Sequence, residues 1–289
     1  MRYVAPSTLE EASAFLLEAN GTGRVLAGGT DLLVQLRAGV TTPGIIVDVK
    51  HIEELMTIQD EDGGFRVGAA VCGQELGEHP GVTTAWPGVV EAVELIGSTQ
   101  VQGRATAGGN LCNASPAADS VPAMIAAGAT VAVYGPNGRR ELAVEDVPAR
   151  PGKTNLEPGE LITSIKLPAR PAGSGDAYLR MTPRTEMDIA IVGLGVALTM
   201  DASGTVSAAR VGLGAVAPTA LHVADADAAL IGSKLDDEAL ERAAEACRQA
   251  CNPINDKRGT VEYRTKIAGV LMKRAAKIAA ERAGSRDNG

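Results

Sequence analysis

Two glycine-rich segments constrain this chain more than any other feature of its sequence. The first runs from Val25 to Leu33 and reads VLAGGTDLL, and the second runs from Arg104 to Asp119 and reads RATAGGNLCNASPAAD. Each contains a Gly-Gly pair and a threonine. Paired glycines let the backbone approach a ligand and expose successive N–H groups, which suits a phosphate, and a threonine hydroxyl can add a further donor. Two such segments predict a ligand with two phosphates that is held from two sides.

The residues around the first segment predict a strand–loop–helix–strand unit. Ser7 with Glu10 and Thr8 with Glu11 are two alternative capping boxes for a preceding helix. The spacing of apolar residues then predicts a helix over 9–19, a strand over 24–27, a helix over 32–38 and a buried strand over 45–49.

The Gly28-Gly29 pair therefore lies between a strand and the start of a helix. Free N–H groups and the positive end of the helix dipole favour an anion at such a position. Thr30 is the expected hydroxyl donor. Asp31 would repel a phosphate, so we expect it to act as a cap or turn residue.

Composition excludes several classes of function. The 289-residue chain is 45% hydrophobic and 21% charged, which is typical of a globular protein with an ample core. Its net charge of −8 argues against broad nucleic-acid binding. Four cysteines are too few for a disulfide framework, so we expect a cytoplasmic protein. The sequence shows no hydrophobic signal core and no apolar run of the roughly 18 residues that a membrane span needs.

Side chains suited to catalysis are scarce. His51, His79 and His222 are far apart in sequence and have no companion nucleophile. Cys247 and Cys251 are four residues apart on one predicted helix face, where apolar packing is a better interpretation than a shared ligand. We therefore predict no catalytic residue and no metal site in this chain. A phosphate-binding chain without acid–base residues is expected to rely on a bound redox cofactor for its chemistry.

Turn and linker signals divide the remainder of the chain. Asp62-Gly63-Gly64 and Pro136-Asn137-Gly138 predict two hairpins, and the second glycine segment is predicted to be a loop. The linker-like residues 168–175 are the predicted domain boundary. The other predicted elements are helices over 88–96 and 120–127, a strand over 161–167, a three-stranded antiparallel sheet over 178–182, 189–200 and 205–214, and helices over 225–231, 237–251 and 262–283.

The last predicted helix is strongly basic. Nine lysines and arginines lie between Lys257 and Arg286, against only two acidic residues, Glu262 and Glu281. A solvated helix face is the preferred interpretation, and a docking surface for an acidic partner subunit is the alternative.

The second glycine segment, from Gly103 to Asp119, closely resembles the FAD-binding medium subunit of the molybdenum hydroxylases, the xanthine dehydrogenase and carbon monoxide dehydrogenase family. Ala27–Asp31 matches the family's first flavin loop, and Pro158–Pro168 matches the strand that ends its flavin domain. The resemblance implies an α+β protein. Residues 1–170 would form an FAD-binding domain of the PCMH type with two α/β subdomains, about 1–55 and 56–170. Residues 176–289 would form a small domain with a three-stranded antiparallel sheet and helices.

The resemblance also implies which residues contact the flavin. Asn113 and Asp119 are expected to reach the ribityl chain or the ring, although Asp119 is equally well placed to cap the next helix. Arg180 stands where relatives commonly carry lysine, Ile96 where some place an aromatic residue against the ring, and Ile189 where some have tyrosine. The full implied set is Val25, Leu26, Ala27, Gly28, Gly29, Thr30, Asp31, Leu32, Ile96, Thr106, Ala107, Gly108, Gly109, Asn110, Asn113, Asp119, Ile162, Arg180 and Ile189.

The resemblance implies an electron-transfer subunit. FAD would be held in this chain without a covalent bond, Cys112 being the one candidate attachment point inside a glycine segment. The molybdenum cofactor would lie on a large molybdopterin-binding subunit and the [2Fe–2S] clusters on a small subunit, in a dimer of heterotrimers. The alternatives are a stand-alone FAD-dependent oxidoreductase of the same fold and a non-catalytic nucleotide-binding module. The substrate and the final electron acceptor cannot be read from this chain.

Overall fold

The computed structural model describes residues 1–185 and 187–285. Its N-terminal part is a parallel sheet of strands β1, β3 and β2, in that spatial order, with two helices. These elements are β1 (Arg2–Val4), α1 (Leu9–Glu18), β2 (Gly23–Leu26), α2 (Leu32–Arg37) and β3 (Ile45–Asp48). The predicted strand–loop–helix–strand unit is confirmed, with the first glycine pair between β2 and α2.

Thr8 caps α1, as one of the two capping boxes predicted. Its Oγ1 accepts a hydrogen bond from the Glu11 N–H at 3.2 Å. The alternative box at Ser7 is wrong, because the helix begins at Leu9 and the Ser7 N–H instead donates to Glu11 Oε2 at 3.0 Å.

A five-stranded antiparallel sheet forms the middle of the chain, with the strand order β4-β5-β10-β6-β7. Both predicted hairpins are confirmed, and at the first of them Asp62 and Gly63 adopt φ of 52° and 76°, as a tight hairpin turn requires. The strands are β4 (Ile58–Glu61), β5 (Gly64–Gly68), β6 (Thr130–Gly135), β7 (Gly138–Ala143) and β10 (Leu161–Leu167), and a separate small pair is β8 (Pro148–Arg150) with β9 (Lys153–Thr154).

Six short helices connect β5 to β6. They are α3 (Gly73–Glu78), α4 (Pro80–Ala85), α5 (Pro87–Glu94), α6 (Thr99–Gln102), α7 (Ala107–Cys112) and α8 (Ser120–Ala126). The second glycine pair lies in α7, so the prediction of a loop there is wrong. Thr106 caps this helix, which offsets the low helix propensity of two adjacent glycines.

The C-terminal part is an antiparallel sheet covered by three helices. Its strands are β11 (Ser174–Met181), β12 (Val192–Met200), β13 (Val206–Gly214) and β14 (Leu221–His222), and its helices are α9 (Ala224–Leu230), α10 (Asp237–Ala250) and α11 (Val261–Ser285). The predicted three-stranded sheet is wrong by one strand, since β14 pairs with β13 over only two residues and is too short to show a periodicity. β11 also begins inside the predicted linker.

Helix α8 packs directly on this sheet because glycines face it. A Cβ on Gly195 of β12 would lie 2.6 Å from the Pro122 carbonyl oxygen, and one on Gly212 of β13 would overlap the same atom. Side chains at these positions would therefore push the helix away. The close contact places the start of α8, and the second glycine segment before it, against β11 to β13.

Candidate functional site

The structure brings the two glycine segments into direct contact. A Cβ added to Gly28 would overlap the carbonyl oxygen of Arg104 and lie 2.6 Å from its carbonyl carbon. Gly29 follows with a φ of +78°, a conformation that favours glycine. The turn after β2 thus lies against the backbone that leads into α7, with no side chain between them.

The two glycines of α7 have different surroundings. A Cβ on Gly108 would lie 2.5 Å from the Ala69 carbonyl oxygen, whereas one on Gly109 would meet only Thr106 Oγ1, at 2.8 Å. Thr106 is buried, and its Oγ1 accepts the Gly109 N–H at 2.9 Å. The N–H groups of Ala107 and Gly108, in the first turn, have no acceptor within the helix. The antiparallel bridge between Cys72 and Thr106 occupies the backbone beside Ala107, so the Gly108 N–H is the donor that we expect α7 to offer a ligand.

A hydrogen bond between side chains also joins α2, which follows the first segment, to the second segment. Gln35 Nε2 of α2 donates to Asn113 Oδ1, at the end of α7, at 2.9 Å. Asn113 thus has a protein partner in addition to its predicted role beside the flavin.

Lys50 lies beside the first glycine segment and was not predicted from the sequence. Its Nζ donates to the Ala27 carbonyl oxygen at 3.1 Å and to Asp48 Oδ1 at 2.6 Å. Tyr3 donates to the other oxygen of Asp48 at 2.6 Å. Burial opposes ionisation of Asp48, but the hydrogen bonds from Lys50 and Tyr3 outweigh it and hold the pKa of Asp48 below its ordinary value. An ion pair of Lys50 with Asp48 thus lies at the carboxyl ends of two adjacent parallel strands, beside the first glycine segment.

Asp31 directly precedes α2, and Cys112 is the last residue of α7. Both residues are exposed, yet the surrounding protein raises the pKa of the Asp31 carboxyl and raises the pKa of the Cys112 thiol to about 12. Asp31 occupies the N-cap position of α2 but makes no capping hydrogen bond.

Asp119 binds two residues of the C-terminal sheet. Tyr178 Oη donates to its Oδ1 at 2.9 Å, and Arg180 Nη1 donates to its Oδ2 at 2.8 Å. The prediction that Asp119 caps α8 is wrong, because its side chain makes no capping bond. Instead Asn110 Oδ1 accepts from the Ser120 N–H at 3.3 Å and from the Ser120 hydroxyl at 2.7 Å, which ties α7 to the start of α8.

The Asp119 carboxylate is almost fully enclosed. Its residue is 8% exposed, and the Arg180 side chain is 7% exposed. Burial raises the pKa of Asp119, and the Arg180 charge and the Tyr178 hydrogen bond counter only part of that rise. The pair is thus an internal ion pair between the second glycine segment and β11. Tyr178 was not predicted either, since nothing in the sequence shows that β11 faces α8.

The three predicted isoleucines lie in different surroundings. Ile162 is 5% exposed and belongs to the core of the first 170 residues, next to a bulge in β10. Ile96 follows α5 and packs partly against the same core. Ile189 is 50% exposed between β11 and β12. Contact of any of them with a flavin stays a prediction.

Residues 1–185 and 187–285 contain no group of three or more His, Cys, Asp or Glu side chains that could hold a metal ion. Across these same residues no helix is both long and apolar enough to cross a membrane.

Cys247 is buried and accepts, through its carbonyl oxygen, a hydrogen bond from the Cys251 thiol at 3.1 Å.

The cations of α11 do not form one solvated face. Arg264 is buried, and its Nη1 donates to the Ile191 carbonyl oxygen at 2.7 Å. Arg282 pairs with Glu91 of α5. Lys266, Arg274 and Lys277 are exposed, and Arg286 lies outside the described residues.

Two family models match most of the chain. The FAD-binding domain of molybdopterin dehydrogenases matches residues 1–170, and the C-terminal domain of the carbon monoxide dehydrogenase flavoprotein matches residues 177–279.

Individual relatives match over nearly their whole length. The carbon monoxide dehydrogenase medium chain of Afipia carboxidovorans is 34% identical over 281 residues, which is 97% of either chain. The xanthine dehydrogenase FAD-binding subunit of Escherichia coli is 29% identical, covering 98% of this chain and 97% of that one. Among solved structures, a chain of the carbon monoxide dehydrogenase from Hydrogenophaga pseudoflava superposes with a TM-score of 0.93 at 35% identity, covering 98% of both chains.

Proposed function

The chain belongs to the FAD-binding subunits of the molybdenum hydroxylases, and on that premise we propose that it holds FAD between its two glycine segments. In this role it passes electrons from the [2Fe–2S] clusters of a partner subunit to an external acceptor, while substrate is hydroxylated at a molybdenum cofactor on the large subunit. The observation that carries the proposal is the backbone contact between Gly28 and Arg104.

The residues at this contact fit FAD. We expect Gly28 and Gly29, with the first turns of α2 and α7, to hold the pyrophosphate through backbone N–H groups. Lys50, paired with Asp48, contributes an ammonium group beside the first segment, and Asp119 with Arg180 forms an ion pair at the end of the second segment. When bound, FAD supplies the ability to accept electrons and release them again. The chain contributes position, charge and enclosure.

We propose that the Cys112 thiol forms no bond to the cofactor. A thiol whose pKa is about 12 is almost wholly protonated at neutral pH and is therefore a poor nucleophile. The protonated thiol supports a cofactor that is held by non-covalent contacts.

The relatives' names support an assembly with partner subunits. The relative from Afipia carboxidovorans is a medium chain, a term that implies a larger and a smaller companion. We propose that this chain works in a heterotrimer with a molybdopterin-binding subunit and a [2Fe–2S] subunit, and that two heterotrimers pair. We further propose a cytoplasmic location, since Cys72, Cys112, Cys247 and Cys251 are free thiols.

We also propose two domains, residues 1–170 and 176–289. Most buried apolar residues of the first range form one core and most of the second range form another. Their cores meet at Tyr178 and Ala220, which lie in the second range but pack in the first core.

Flavin content and partner dependence test the function. The purified chain is expected to be yellow, and acid precipitation is expected to release FAD into the supernatant in a one-to-one ratio with protein. Flavin that stays in the pellet would contradict the non-covalent assignment. A colourless chain that binds no added FAD would favour a nucleotide-binding module, and substrate turnover without any partner subunit would favour a stand-alone oxidoreductase.

A further inference from the structure

Tyr178 lies on the C-terminal sheet but belongs to the core of the first 170 residues. It is 3% exposed and packs in that core. Its hydroxyl reaches Asp119 Oδ1 at 2.9 Å. Arg180 lies two residues along the same strand and therefore on the same face. Its Nη1 donates to the other carboxylate oxygen of Asp119 at 2.8 Å. Both protein bonds to Asp119 therefore come from β11.

Gly193 leaves room for the Tyr178 hydroxyl. It lies on β12, and a Cβ built on it would be 2.5 Å from Tyr178 Oη but 3.4 Å from the nearest ring carbon. The Tyr178 hydroxyl therefore requires glycine at position 193, whereas the ring without its hydroxyl would leave room for a methyl group there. The space that receives the phenol oxygen is thus part of the sheet itself.

We propose that Tyr178 is a positioning residue for the flavin, which acts by fixing the direction and the effective charge of the Asp119 carboxylate. The proposal rests on the proposed function, because it takes the segment ending at Asp119 to be part of the FAD site. Asp119 directly precedes Ser120, which is hydrogen-bonded to Asn110 of α7 at 2.7 Å. The C-terminal domain thereby contributes to flavin binding through a residue that need not touch the cofactor.

The charge arrangement predicts the sign of the effect. A hydrogen bond from a phenol draws electron density from the carboxylate and so reduces the negative charge that it presents to its surroundings. Arg180 still pairs with Asp119 when Tyr178 is replaced, so we expect the carboxylate to stay ionised. Without the phenol bond its fuller negative charge would disfavour the reduced, negatively charged form of the flavin relative to the neutral oxidised form. The flavin reduction potential is therefore expected to fall.

The test is Tyr178→Phe in the full chain purified with its partner subunits. We expect the FAD dissociation constant to rise about tenfold, and we expect a flavin potential lower by about 30 mV, the shift that corresponds to a tenfold change for a two-electron couple. Tyr134→Phe is the matched control, because Tyr134 also donates its hydroxyl to a carboxylate, that of Glu10 at 3.0 Å, in a hydrogen bond at the surface. It is expected to change neither quantity.

Gly193→Ala provides a second and independent test. In the wild-type background its methyl group would displace the Tyr178 hydroxyl, so the variant should reproduce the effects of Tyr178→Phe. In the Tyr178→Phe background the methyl group has space, so the double variant should match Tyr178→Phe alone, and the two effects should not add.

The outcomes separate a positioning role from a purely structural one. A potential and an FAD affinity unchanged by Tyr178→Phe would overturn the proposal, even if the melting temperature fell, since the hydroxyl would then serve folding only. Fully additive effects of the two substitutions would overturn it as well. Failure of the proposed function would look different, because the wild-type chain itself would then bind no FAD.

Discussion

Gly28 meets the backbone of Arg104 so closely that any side chain at Gly28 would overlap the Arg104 carbonyl group. The two residues belong to different glycine segments, one after β2 and one before α7. The missing side chain is what lets the turn after β2 and the segment before α7 come into direct backbone contact. The phosphate site that we propose would thus depend on the pair of segments and not on either one alone.

Gly28→Ala is the first test of that arrangement. The added methyl group must separate the two segments, so we expect FAD affinity to fall at least tenfold and the free energy of unfolding to fall by about 1–3 kcal/mol. Gly284→Ala is the control, because a Cβ there meets nothing within 4 Å. Isothermal titration of the apoprotein with FAD and urea unfolding measure the two effects. Unchanged affinity in Gly28→Ala would contradict the placement of the site.

The two glycines of α7 should respond differently to substitution. Gly108→Ala would press on the Ala69 backbone and is expected to lower stability, whereas a Cβ at Gly109 would meet only the Thr106 hydroxyl within the protein. We therefore expect Gly109→Val to lose FAD while the chain stays folded, at a cost of about 1 kcal/mol from the disturbed cap. Circular dichroism with flavin absorbance distinguishes the two cases. Stoichiometric flavin in Gly109→Val would overturn the role of this segment.

Local signals were sufficient for much of the fold and for the glycine segments. Thr8 as a cap, the Asp62-Gly63 turn and the strand–loop–helix–strand unit depend on residues close in sequence, and each is present. The helical state of the second glycine pair was missed, because glycine disfavours helices and only the cap at Thr106 compensates.

The parts that sequence reasoning missed depend on which elements become neighbours. Lys50 reaches the first glycine segment because β3 pairs with β2 in parallel. Tyr178 reaches Asp119 because β11 packs against α8 across the two halves of the chain. No local sequence pattern predicts which residues Lys50 or Tyr178 contacts. The position of Lys50 after a buried strand was a weak signal for its contact, and the sequence held no signal for the contact of Tyr178 with Asp119.

Arg180 is expected to tolerate lysine but not alanine. Arg180→Ala would leave the buried Asp119 carboxylate without its cation, which costs about 3–5 kcal/mol when one partner of a buried pair is removed. Arg180→Lys retains a positive charge and can replace the single bond to Oδ2. Urea unfolding measures both variants. Equal losses of stability in the two variants would show that the charge of Arg180 is not what matters.

Asp188 should confer a pH-dependent part of the stability. It accepts hydrogen bonds from Arg184 Nε at 3.0 Å, the Ile189 N–H at 2.8 Å and Arg258 Nε at 3.2 Å. The bonds from Arg184 and Ile189, followed by that from Arg258, lower its pKa from 3.8 to about 2. Because the folded-state pKa is the lower one, this stabilisation is present above about pH 4 and is lost as the pH falls toward about 2.

Asp188→Asn therefore should be less stable than the wild type near neutral pH, and the difference should shrink as the solution is acidified. Urea unfolding of both proteins over a series of pH values checks this. A difference that stays constant or grows on acidification would show that Asp188 is not held as an ionised carboxylate.

The transfer of electrons from a reduced iron–sulfur partner to the flavin of this chain tests the central claim most directly. The FAD-loaded chain is mixed without oxygen with its [2Fe–2S] subunit, which has been reduced and freed of reductant, and the visible flavin absorbance is followed. We predict that the flavin is reduced in proportion to the partner added. We also predict that the reduced partner stays reduced when it is mixed with the Gly28→Ala variant from which FAD has been removed. A flavin that stays oxidised while the reduced partner is present in excess would contradict the electron-transfer role of this chain.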